Sequence, residues 1–390
     1  MPPAWGRLVF HCQIFYLELL WLHLQSIIIN QSPRFMDQAS NHLVIMAGGV
    51  GSRFWPMSTA DRPKQFIDVL GVGRSLLQLT LDRFRGICSA DHVWVLTNKK
   101  YYDMVRRQLP EVPVENILQE PMRRNTAPCI AYVSWRIKAI DPQANIVVAP
   151  SDHIVTDTAE FQRVINLCVK FAAETDAMIT LGIKPDRSET GYGYIQADLS
   201  SSSLRNKEIF RVDRFREKPD LQTAETYIRQ NNFFWNAGIF IWNVKTIINA
   251  FRVYVPAVAK IFESMTNVYG TDKEQALIDE RYGECENISV DYAIMEKAEE
   301  IFVCPADFGW SDLGTWSSLL SHTKRDLYGN SAIGNHIDLY DSHNCIVHAT
   351  QAKKVVIQGL ENCIVAEKDG MLLICKLSEE QRIRQFADEK

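Results

Sequence analysis

The sequence predicts an α/β protein whose main domain is a doubly wound, mainly parallel sheet, with a small β domain at the C-terminus. Three observations support this fold class. The chain has 390 residues, of which 46% are hydrophobic and 23% charged, enough for one large domain and a smaller one. From Leu43, strand-like apolar runs alternate with helical patterns. After Tyr328, short strand-like runs follow one another without helices.

The main domain is predicted from its alternating elements. The strand-like runs are LVIMA, HVWVLT, NIVVAPSD, AMITLGI and AGIFIW. The helical patterns between them include SLLQLTLDRFRGI, APCIAYVSWRIKAI and EFQRVINLCVKFAAE. In the last of these, apolar residues recur at helical spacing along one face: Phe161, Val164, Ile165, Cys168 and Phe171. Strand–helix alternation favours a doubly wound sheet, in which ligands bind at the carboxyl ends of the strands.

The C-terminal region is predicted from a change of pattern. The runs CIVHA, KVVIQG, CIVAEKDG and MLLICKL are strand-like, and EEQRIRQFADEK indicates a short polar helix at the end. We therefore divide the chain into an N-terminal extension (1–35), a main domain (36–328) and a small β domain (329–390).

The first 35 residues differ from the rest. The stretch LVFHCQIFYLELLWLHLQSIII is strongly apolar, but Glu18 and two histidines interrupt it, which disfavours a membrane span. No small-residue cleavage site follows, which disfavours a signal peptide. Three interpretations stay open: an upstream start codon with the native chain beginning at Met36, which we favour, a peripheral hydrophobic helix, or a transmembrane anchor. We expect no membrane partner.

Charge and cysteine content exclude some classes of function. The net charge of −5 disfavours a nucleic-acid surface, since proteins that follow phosphate backbones usually carry a basic excess. The nine cysteines show no CxxC pair or Cys/His spacing, so we expect no zinc site. Scattered, unpaired cysteines are typical of a reduced, cytoplasmic protein.

A glycine-rich turn follows the first predicted strand. In GGVGSR, glycines Gly48, Gly49 and Gly51 allow backbone N–H groups to approach an anion. The turn is neither a Walker A loop, which needs Lys-Ser/Thr after its last glycine, nor a dinucleotide fingerprint, which needs glycine at Phe54. Arg53 lies within the turn and Lys64 follows it in RPKQF, so we expect a polyanion site; a plain tight turn with a solvated lysine is the alternative.

Two acidic residues are candidate metal ligands. Asp152 lies just past the predicted strand NIVVAP, where ligands bind in doubly wound sheets. Asp312 lies in the aromatic, glycine-bearing turn FGWSDLGTW. Mg²⁺ prefers one or two carboxylates together with phosphate oxygens. Alternatively, Ser151 or Asp152 caps the next helix. His153 is a structural neighbour rather than a base.

Four further residues are candidates for binding a sugar phosphate. In FREKP, Glu217 can accept hydrogen bonds from hydroxyl groups and Lys218 can pair with a phosphate. A surface charge pair is the simpler interpretation of these two residues. Asn236 in FFWNAGIF both donates and accepts hydrogen bonds, which suits a sugar hydroxyl. Gly193 in ETGYGYI indicates either a hairpin turn or a close approach of backbone and ligand.

The order of these motifs resembles the sugar-1-phosphate nucleotidyltransferase family, over about Leu43 to Lys324 and more loosely in the β tail. The forms MAGGVGSRFWPMS, RPKQF, EPMRRNTAPCIA, PSDH, SVDYAIMEKA and FGWSDLGTW are similar to its mannose-1-phosphate guanylyltransferase branch. This implies a Rossmann-like domain with a β-helix-like cap. One departure is RFWPMS, where many relatives have Arg-Leu-x-Pro-Leu-Ser.

The resemblance implies roles for the nucleotide-side residues. The loop that wraps the triphosphate would comprise Gly48, Gly49, Gly51, Ser52 and Arg53. Lys64 would neutralise the phosphates, and Asp152 and Asp312 would bind Mg²⁺. Glu120 and Asn125 would lie in the nucleotide-binding region, without an assignment of which reads the base. Arg53, Lys64, Asp152 and Asp312 would be catalytic.

The resemblance also implies the substrates. Gly193, Glu217, Lys218 and Asn236 would face the sugar phosphate. The expected reaction converts GTP and mannose 1-phosphate into GDP-mannose and pyrophosphate. Alternatives stay open: the same reaction with another base or hexose, or a non-catalytic sugar-nucleotide-binding relative. A bifunctional enzyme is disfavoured because about 60 residues follow Gly329, too few for another catalytic domain. A homodimer is retained as one oligomeric state.

Overall fold

The computed structural model describes residues 40–49, 51–203 and 206–388. The predicted N-terminal extension, residues 1–35, lies outside the described residues. Within the described ranges, every helix is too short or too polar to cross a membrane.

Strands and helices alternate through most of the chain, and strands alone dominate its last part. The strands are β1 Asn41–Met46, β2 Val93–Asn98, β3 Ile117–Glu120, β4 Asn145–Pro150, β5 Ile154–Val155, β6 Met178–Ile183, β7 Tyr194–Ser203, β8 Asn206–Arg216, β9 Phe233–Asn243, β10 Ile301–Ala306, β11 Trp310–Ser311, β12 Ser331–Gly334, β13 Ile337–Tyr340, β14 Ile346–Ala349, β15 Val355–Gln358, β16 Cys363–Lys368 and β17 Met371–Lys376. The α-helices are α1 Leu76–Arg83, α2 Tyr102–Gln108, α3 Thr126–Lys138, α4 Thr158–Glu174, α5 Leu221–Ile228, α6 Val244–Tyr254, α7 Pro256–Glu263, α8 Glu274–Arg281, α9 Trp316–Ser321 and α10 Ile383–Asp388.

Nine strands form the central sheet, in the order β3-β2-β1-β4-β9-β6-β10-β8-β7. Strands β3, β2, β1 and β4 are parallel, and β6 pairs in parallel with β10. Strand β9 runs antiparallel between β4 and β6, and β7 and β8 form an antiparallel hairpin at one edge. The predicted α/β class is confirmed.

Helices cover both faces of the sheet because its buried strands are apolar on both sides. In β1, Val44 packs in a core with Ile130 of α3, while the adjacent Leu43 and Ile45 pack in a second core with Phe161 of α4. Strand residues alternate between faces, so each face receives its own helices. The loops that follow the carboxyl ends of the parallel strands therefore lie between the two helical layers.

The start of α4 corrects one alternative from the sequence. The side chain that caps α4 is Asp157, which accepts a hydrogen bond from the Glu160 backbone N–H at 2.9 Å. Neither Ser151 nor Asp152 caps this helix, because β5 intervenes after the end of β4. Asp152 is thus left for another role.

The C-terminal strands stack in short parallel ladders, as in a β-helix. Strands β12, β14 and β16 pair in parallel, β13 pairs in parallel with β15, and β17 closes the stack antiparallel to β16. Buried Ile346 and Ile364 share a core with Phe54 and Trp316 of the main α/β part. The stack therefore packs directly against the segment that follows β1.

Candidate active site

The glycine loop after β1 is held by its neighbours in the fold. Gly51 has φ of +68°, which favours glycine, and a Cβ there would lie 2.5 Å from Lys64 Cβ. The Gln65 side-chain amide donates hydrogen bonds to the carbonyls of Ala47 at 3.1 Å and Gly49 at 2.9 Å. These contacts fix the loop against the RPKQF segment.

Lys64 is a buried cation with three hydrogen-bond acceptors. The residue is 3% exposed. Its Nζ lies 2.9 Å from Asp152 Oδ2 and donates to the backbone carbonyls of Asp312 at 2.9 Å and Leu313 at 3.0 Å. An ammonium group has three N–H donors, so these contacts use all of them. Lys64 therefore links the two predicted metal ligands.

The same cation affects the ionisation of Asp152. Burial alone would raise the pKa of this carboxyl, but the charge of Lys64 and its hydrogen bond hold the pKa below its ordinary value. Asp152 is therefore ionised at neutral pH, the form that a metal ion requires.

Asp312 is fixed by a tyrosine and by its own turn. Tyr192 donates its hydroxyl proton to Asp312 Oδ1 at 2.6 Å, and the Gly314 backbone N–H donates to the same oxygen at 2.9 Å. The Trp316 indole N–H donates to the Arg53 carbonyl at 3.1 Å, which joins the turn to the glycine loop. Lys64 thus contacts Oδ2 of Asp152, and Tyr192 and Gly314 contact Oδ1 of Asp312.

His153 occupies a structural position beside the acids. Its Nδ1 accepts a hydrogen bond from the Trp310 indole N–H at 3.2 Å, and its Nε2 lies 3.8 Å from Asp152 Oδ1. Burial lowers the pKa of the imidazole. The predicted structural role agrees with these contacts.

A small cavity of about 150 Å³ lies between the loop and the acids. Its lining residues are Gly51, Arg53, Phe54, Lys64, Asp152, His153, Asp312, Leu313, Gly314 and Arg384. Within the described residues, no group of three or more His, Cys, Asp or Glu side chains forms a complete metal site. The two carboxylates fit a hard divalent cation that completes its coordination with water and substrate phosphates.

A larger cavity of about 580 Å³ adjoins the small one, and both are lined by Asp312 and His153. Its lining residues include Gly48, Glu120 and Asn125. The carboxyl of Glu120 is buried, which raises its pKa to about 7, and it accepts a hydrogen bond from the Tyr282 hydroxyl. The cavity lining thus combines loop backbone at Gly48 with a buried acceptor at Glu120.

The lining of the large cavity also contains a polar network. The Asn236 amide donates to Asp291 Oδ1 at 2.9 Å and accepts from Thr180 Oγ1 at 2.9 Å. Burial and the nearby Glu217 raise the pKa of Asp291 to about 7. This group of fixed donors and acceptors is suited to binding hydroxyl groups.

Glu217 and Lys218 form an ion pair of 3.0 Å, but it is not a simple surface pair. The Glu217 side chain is only 9% exposed, whereas Lys218 is 58% exposed. A Cβ at Gly193 would lie 2.4 Å from Glu217 Oε2, so the glycine leaves space for the carboxylate. All three residues line the large cavity.

The structure brings most sequence-predicted residues together. The large cavity is lined by Gly48, Gly49, Glu120, Asn125, Gly193, Glu217, Lys218, Asn236 and Asp312, and the small one by Gly51, Arg53, Lys64, Asp152 and Asp312. Ser52 lines neither cavity and begins the 3-10 turn Ser52–Phe54. Asn125 also caps α3 with φ of +64°.

Sequence reasoning missed several contributors, among them Asp291, Tyr192, Tyr282 and the small-cavity residue Arg384. Asp291 lies in SVDYAIMEKA, where an acid within an apolar pattern was the available signal. Tyr192 stands between two glycines in the sequence, and its contact with Asp312 depends on the fold. Tyr282 gave no local signal for its contact with Glu120.

Comparison with known proteins places this site in a family. The family described as nucleotidyl transferase matches residues 42–328. Xanthan biosynthesis protein XanB of Xanthomonas campestris pv. campestris is 34% identical over 349 residues, covering 89% of this chain and 72% of that protein. Mannose-1-phosphate guanylyltransferase 2 of Escherichia coli O157:H7 is 34% identical over 361 residues, covering 90% of this chain and 74% of that protein.

A solved structure is similar over nearly the same span. The structure is described as a mannose-1-phosphate geranyltransferase from Thermus thermophilus, with a TM-score of 0.79, 28% identity, and coverage of 89% of this chain and 98% of that chain. The resemblance inferred from the motifs is confirmed. The chain therefore belongs to the nucleotidyl transferase family, in the group whose curated members include mannose-1-phosphate guanylyltransferases.

Proposed function

We propose that this chain transfers a guanylyl group from GTP to mannose 1-phosphate, giving GDP-mannose and pyrophosphate. The observation that carries the proposal is the contact of Lys64 with both Asp152 and the Asp312 backbone in the small cavity, because Asp312 also lines the large cavity. We assign the part of the large cavity lined by Gly48 and Glu120 to the nucleotide (the nucleotide end) and the part lined by Asn236, Asp291 and Glu217 to the sugar (the sugar end). Asp312 lines both cavities, which suits a transfer at a phosphorus atom held near the two linked acids. The relatives named mannose-1-phosphate guanylyltransferases support the choice of substrates.

At the nucleotide end, Glu120 is the proposed reader of guanine. Guanine presents adjacent N1–H and N2–H donors on one edge, and a buried carboxylate can accept both. Tyr282 holds Glu120 Oε1, while Oε2 lies 3.6 Å from the position of a Cβ on Gly48, beside the glycine loop. Adenine presents an acceptor at N1, which would leave the carboxylate without a donor there.

At the sugar end, Asn236, Asp291 and Glu217 are the proposed contacts of the mannose hydroxyls. Their fixed positions supply acceptors and one amide donor. Lys218 lines the cavity with an exposed side chain and can pair with the sugar phosphate as a point charge. Gly193 leaves open space beside Glu217.

The chemistry needs no covalent intermediate. The phosphate oxygen of mannose 1-phosphate attacks the α-phosphorus of GTP, and the bond to the departing pyrophosphate breaks in line. Lys64 holds Asp152 and the turn carrying Asp312 in fixed relative positions. Arg53 offsets negative charge on the departing pyrophosphate. A divalent cation, proposed to be Mg²⁺, would be held by Asp152 and Asp312 and would neutralise charge on the phosphates.

Two further expectations accompany this function. Soluble nucleotide substrates suit a cytoplasmic location, and we propose that location for this chain. A homodimer remains the proposed oligomeric state, to be measured by light scattering.

The test is a substrate panel. The chain from Met36 and the full chain are each incubated with Mg²⁺, one of ATP, GTP, CTP or UTP, and one of mannose, glucose or galactose 1-phosphate, and pyrophosphate release is measured. We expect GTP with mannose 1-phosphate to exceed every other pair at least about 10-fold, as expected when one or two buried hydrogen bonds discriminate.

The other outcomes separate the alternatives. Preferential release with a different pair would keep the reaction class and contradict the guanine or mannose assignment. Absence of release from a folded protein that still binds GDP-mannose would favour a non-catalytic relative. A comparison of the two chain lengths also shows whether residues 1–35 affect activity.

A further inference from the structure

The small cavity receives one side chain from outside the main α/β part. Arg384, in the C-terminal helix α10, lines this cavity with Arg53, Lys64, Asp152 and Asp312. No sequence motif pointed to this residue. The C-terminal segment thus adds a third cation beside the two aspartates.

The helix that carries Arg384 is anchored on the glycine-loop segment. The preceding residue, Ile383, is fully buried in the core that contains Phe54 and Trp316, and Phe386 packs against the same core. These contacts hold Arg384 next to the 3-10 turn Ser52–Phe54 that carries Arg53.

A second contact anchors the segment on the other side of the cavity. The carboxylate of Glu380 accepts a hydrogen bond from the Ser317 backbone N–H at 2.9 Å. Ser317 lies at the start of α9, directly after the turn that carries Asp312. The C-terminal segment is therefore attached both to the loop and to the turn that form the cavity.

The charge balance of the cavity indicates what Arg384 can bind. Lys64 is fully engaged by protein acceptors, and Arg53 has one long contact, 3.4 Å from Nη1 to the Gly314 carbonyl. Arg384 makes no hydrogen bond or ion pair with any other described residue, and its side chain is exposed. Its guanidinium donors are therefore available to an anion that enters the cavity.

We infer that Arg384 binds the β- and γ-phosphates of the nucleoside triphosphate and the pyrophosphate that leaves. This inference rests on the proposed function, which places the departing phosphates beside Arg53 and the two aspartates. A guanidinium can donate two parallel hydrogen bonds to phosphate oxygens. The C-terminal segment is then part of the substrate site as well as a packing element.

The test compares ligands with and without the departing phosphates. In the reverse reaction, the KM for pyrophosphate should rise about 5- to 50-fold in Arg384→Ala, as should the KM for GTP in the forward reaction, because a charge-assisted contact is lost. The KM for GDP-mannose should change less than about two-fold, because that ligand lacks the departing phosphates that Arg384 contacts. Arg384→Lys, which keeps the charge, should recover part of the loss.

Arg382→Ala is the matched control. Arg382 is also exposed, pairs with Glu379, and does not line the small cavity. Unchanged KM values for pyrophosphate and GTP in Arg384→Ala would overturn the inference. An equal rise in the KM for GDP-mannose would also overturn the inference, since that pattern indicates a general structural defect.

A direct binding measurement separates this inference from the proposed function. Calorimetric titration of the full chain with inorganic pyrophosphate and Mg²⁺ does not depend on turnover. If the wild-type chain fails to make GDP-mannose but Arg384→Ala still weakens pyrophosphate binding, the proposed substrates are wrong and the role of Arg384 stands. If the wild-type chain is active and the two proteins bind pyrophosphate equally, the role of Arg384 is wrong.

Discussion

Lys64 Nζ lies 2.9 Å from Asp152 Oδ2 and also 2.9 Å from the Asp312 backbone carbonyl. One buried ammonium therefore joins two acids that are distant in sequence. The arrangement differs from a lysine that projects freely towards phosphate, because all three of its donors contact protein. Any contact that Lys64 makes with substrate must share or replace one of these hydrogen bonds.

Lys64→Met should impair both stability and turnover. The variant removes the charge partner of Asp152 and two hydrogen bonds to the 312–313 backbone. Because Asp152 is partly exposed, we expect a loss of about 1–3 kcal/mol in the free energy of unfolding, measured with urea. Turnover should fall at least about 100-fold, because Asp152 and Asp312 would no longer be held in fixed positions relative to each other.

The matched control is Lys100→Met. Lys100 pairs with Asp61 on the surface, away from both cavities, so turnover should not change. A Lys64→Met variant with unaltered turnover would contradict the proposed link between the two acids.

Tyr192→Phe should weaken activation by the cation. The lost hydroxyl donates to Asp312 Oδ1 at 2.6 Å and orients that carboxylate. Partners of this kind typically affect metal affinity 10- to 100-fold, so the Mg²⁺ concentration for half-maximal turnover should rise about 10-fold. Tyr101→Phe, which loses a hydrogen bond to the Ala60 carbonyl instead, is the control. An unchanged Mg²⁺ requirement would argue against Asp312 as a ligand.

Glu120→Gln should alter the pH dependence of stability. Burial raises the pKa of Glu120 from 4.5 to about 7 in the folded protein, so the folded state binds more protons than the unfolded state between these values. The wild-type chain must therefore lose stability, relative to Glu120→Gln, as pH rises through this window. At about 1.4 kcal/mol per pKa unit, the full difference corresponds to about 3 kcal/mol.

The measurement is the free energy of unfolding of both proteins at pH 5 and pH 8. Glu115→Gln, which changes an exposed side chain, is the control. Parallel pH profiles for wild type and Glu120→Gln would contradict the assignment of a perturbed carboxyl at this position. Glu120→Gln should also reduce the preference for GTP over ATP.

Gly193→Ala should affect the sugar phosphate selectively. The added methyl group would lie 2.4 Å from Glu217 Oε2, so that carboxylate must move. The atom that must move is the terminal oxygen of a side chain, so the free energy of unfolding should change little. The KM for mannose 1-phosphate should rise roughly 10-fold, because Glu217 is displaced from its position in the cavity. Gly49→Ala is the counterpart, because a Cβ there meets no protein atom within 4 Å and should affect GTP instead. Equal effects of both variants on both substrates would contradict the division of the cavity.

The fold was predictable where the pattern was local and strong. The buried strands β1, β2, β4 and β6 and the amphipathic helix α4 agree with the predicted runs. Strand β3 was missed because it has only four residues, and the β7–β8 hairpin because its strands are rich in polar residues. The antiparallel direction of β9 depends on pairing between distant segments, which a local pattern does not encode.

The candidate site was predictable to a similar extent. Asp152 could be inferred because a residue just past a buried parallel strand lies at the ligand edge of the sheet. The contact of Tyr192 with Asp312 and the entry of Arg384 depend on tertiary packing between distant segments. The proposed division of the chain at residues 328 and 329 remains a prediction.

The most direct test of the central claim is formation of GDP-mannose by wild type and Asp152→Asn. Both proteins are incubated with GTP, mannose 1-phosphate and Mg²⁺, and the product is quantified by mass spectrometry. We expect stoichiometric GDP-mannose and pyrophosphate from wild type, and at least about a 1,000-fold lower rate from a folded Asp152→Asn variant. Near-normal product formation by Asp152→Asn would contradict the assignment of the Lys64-linked acids as the catalytic centre.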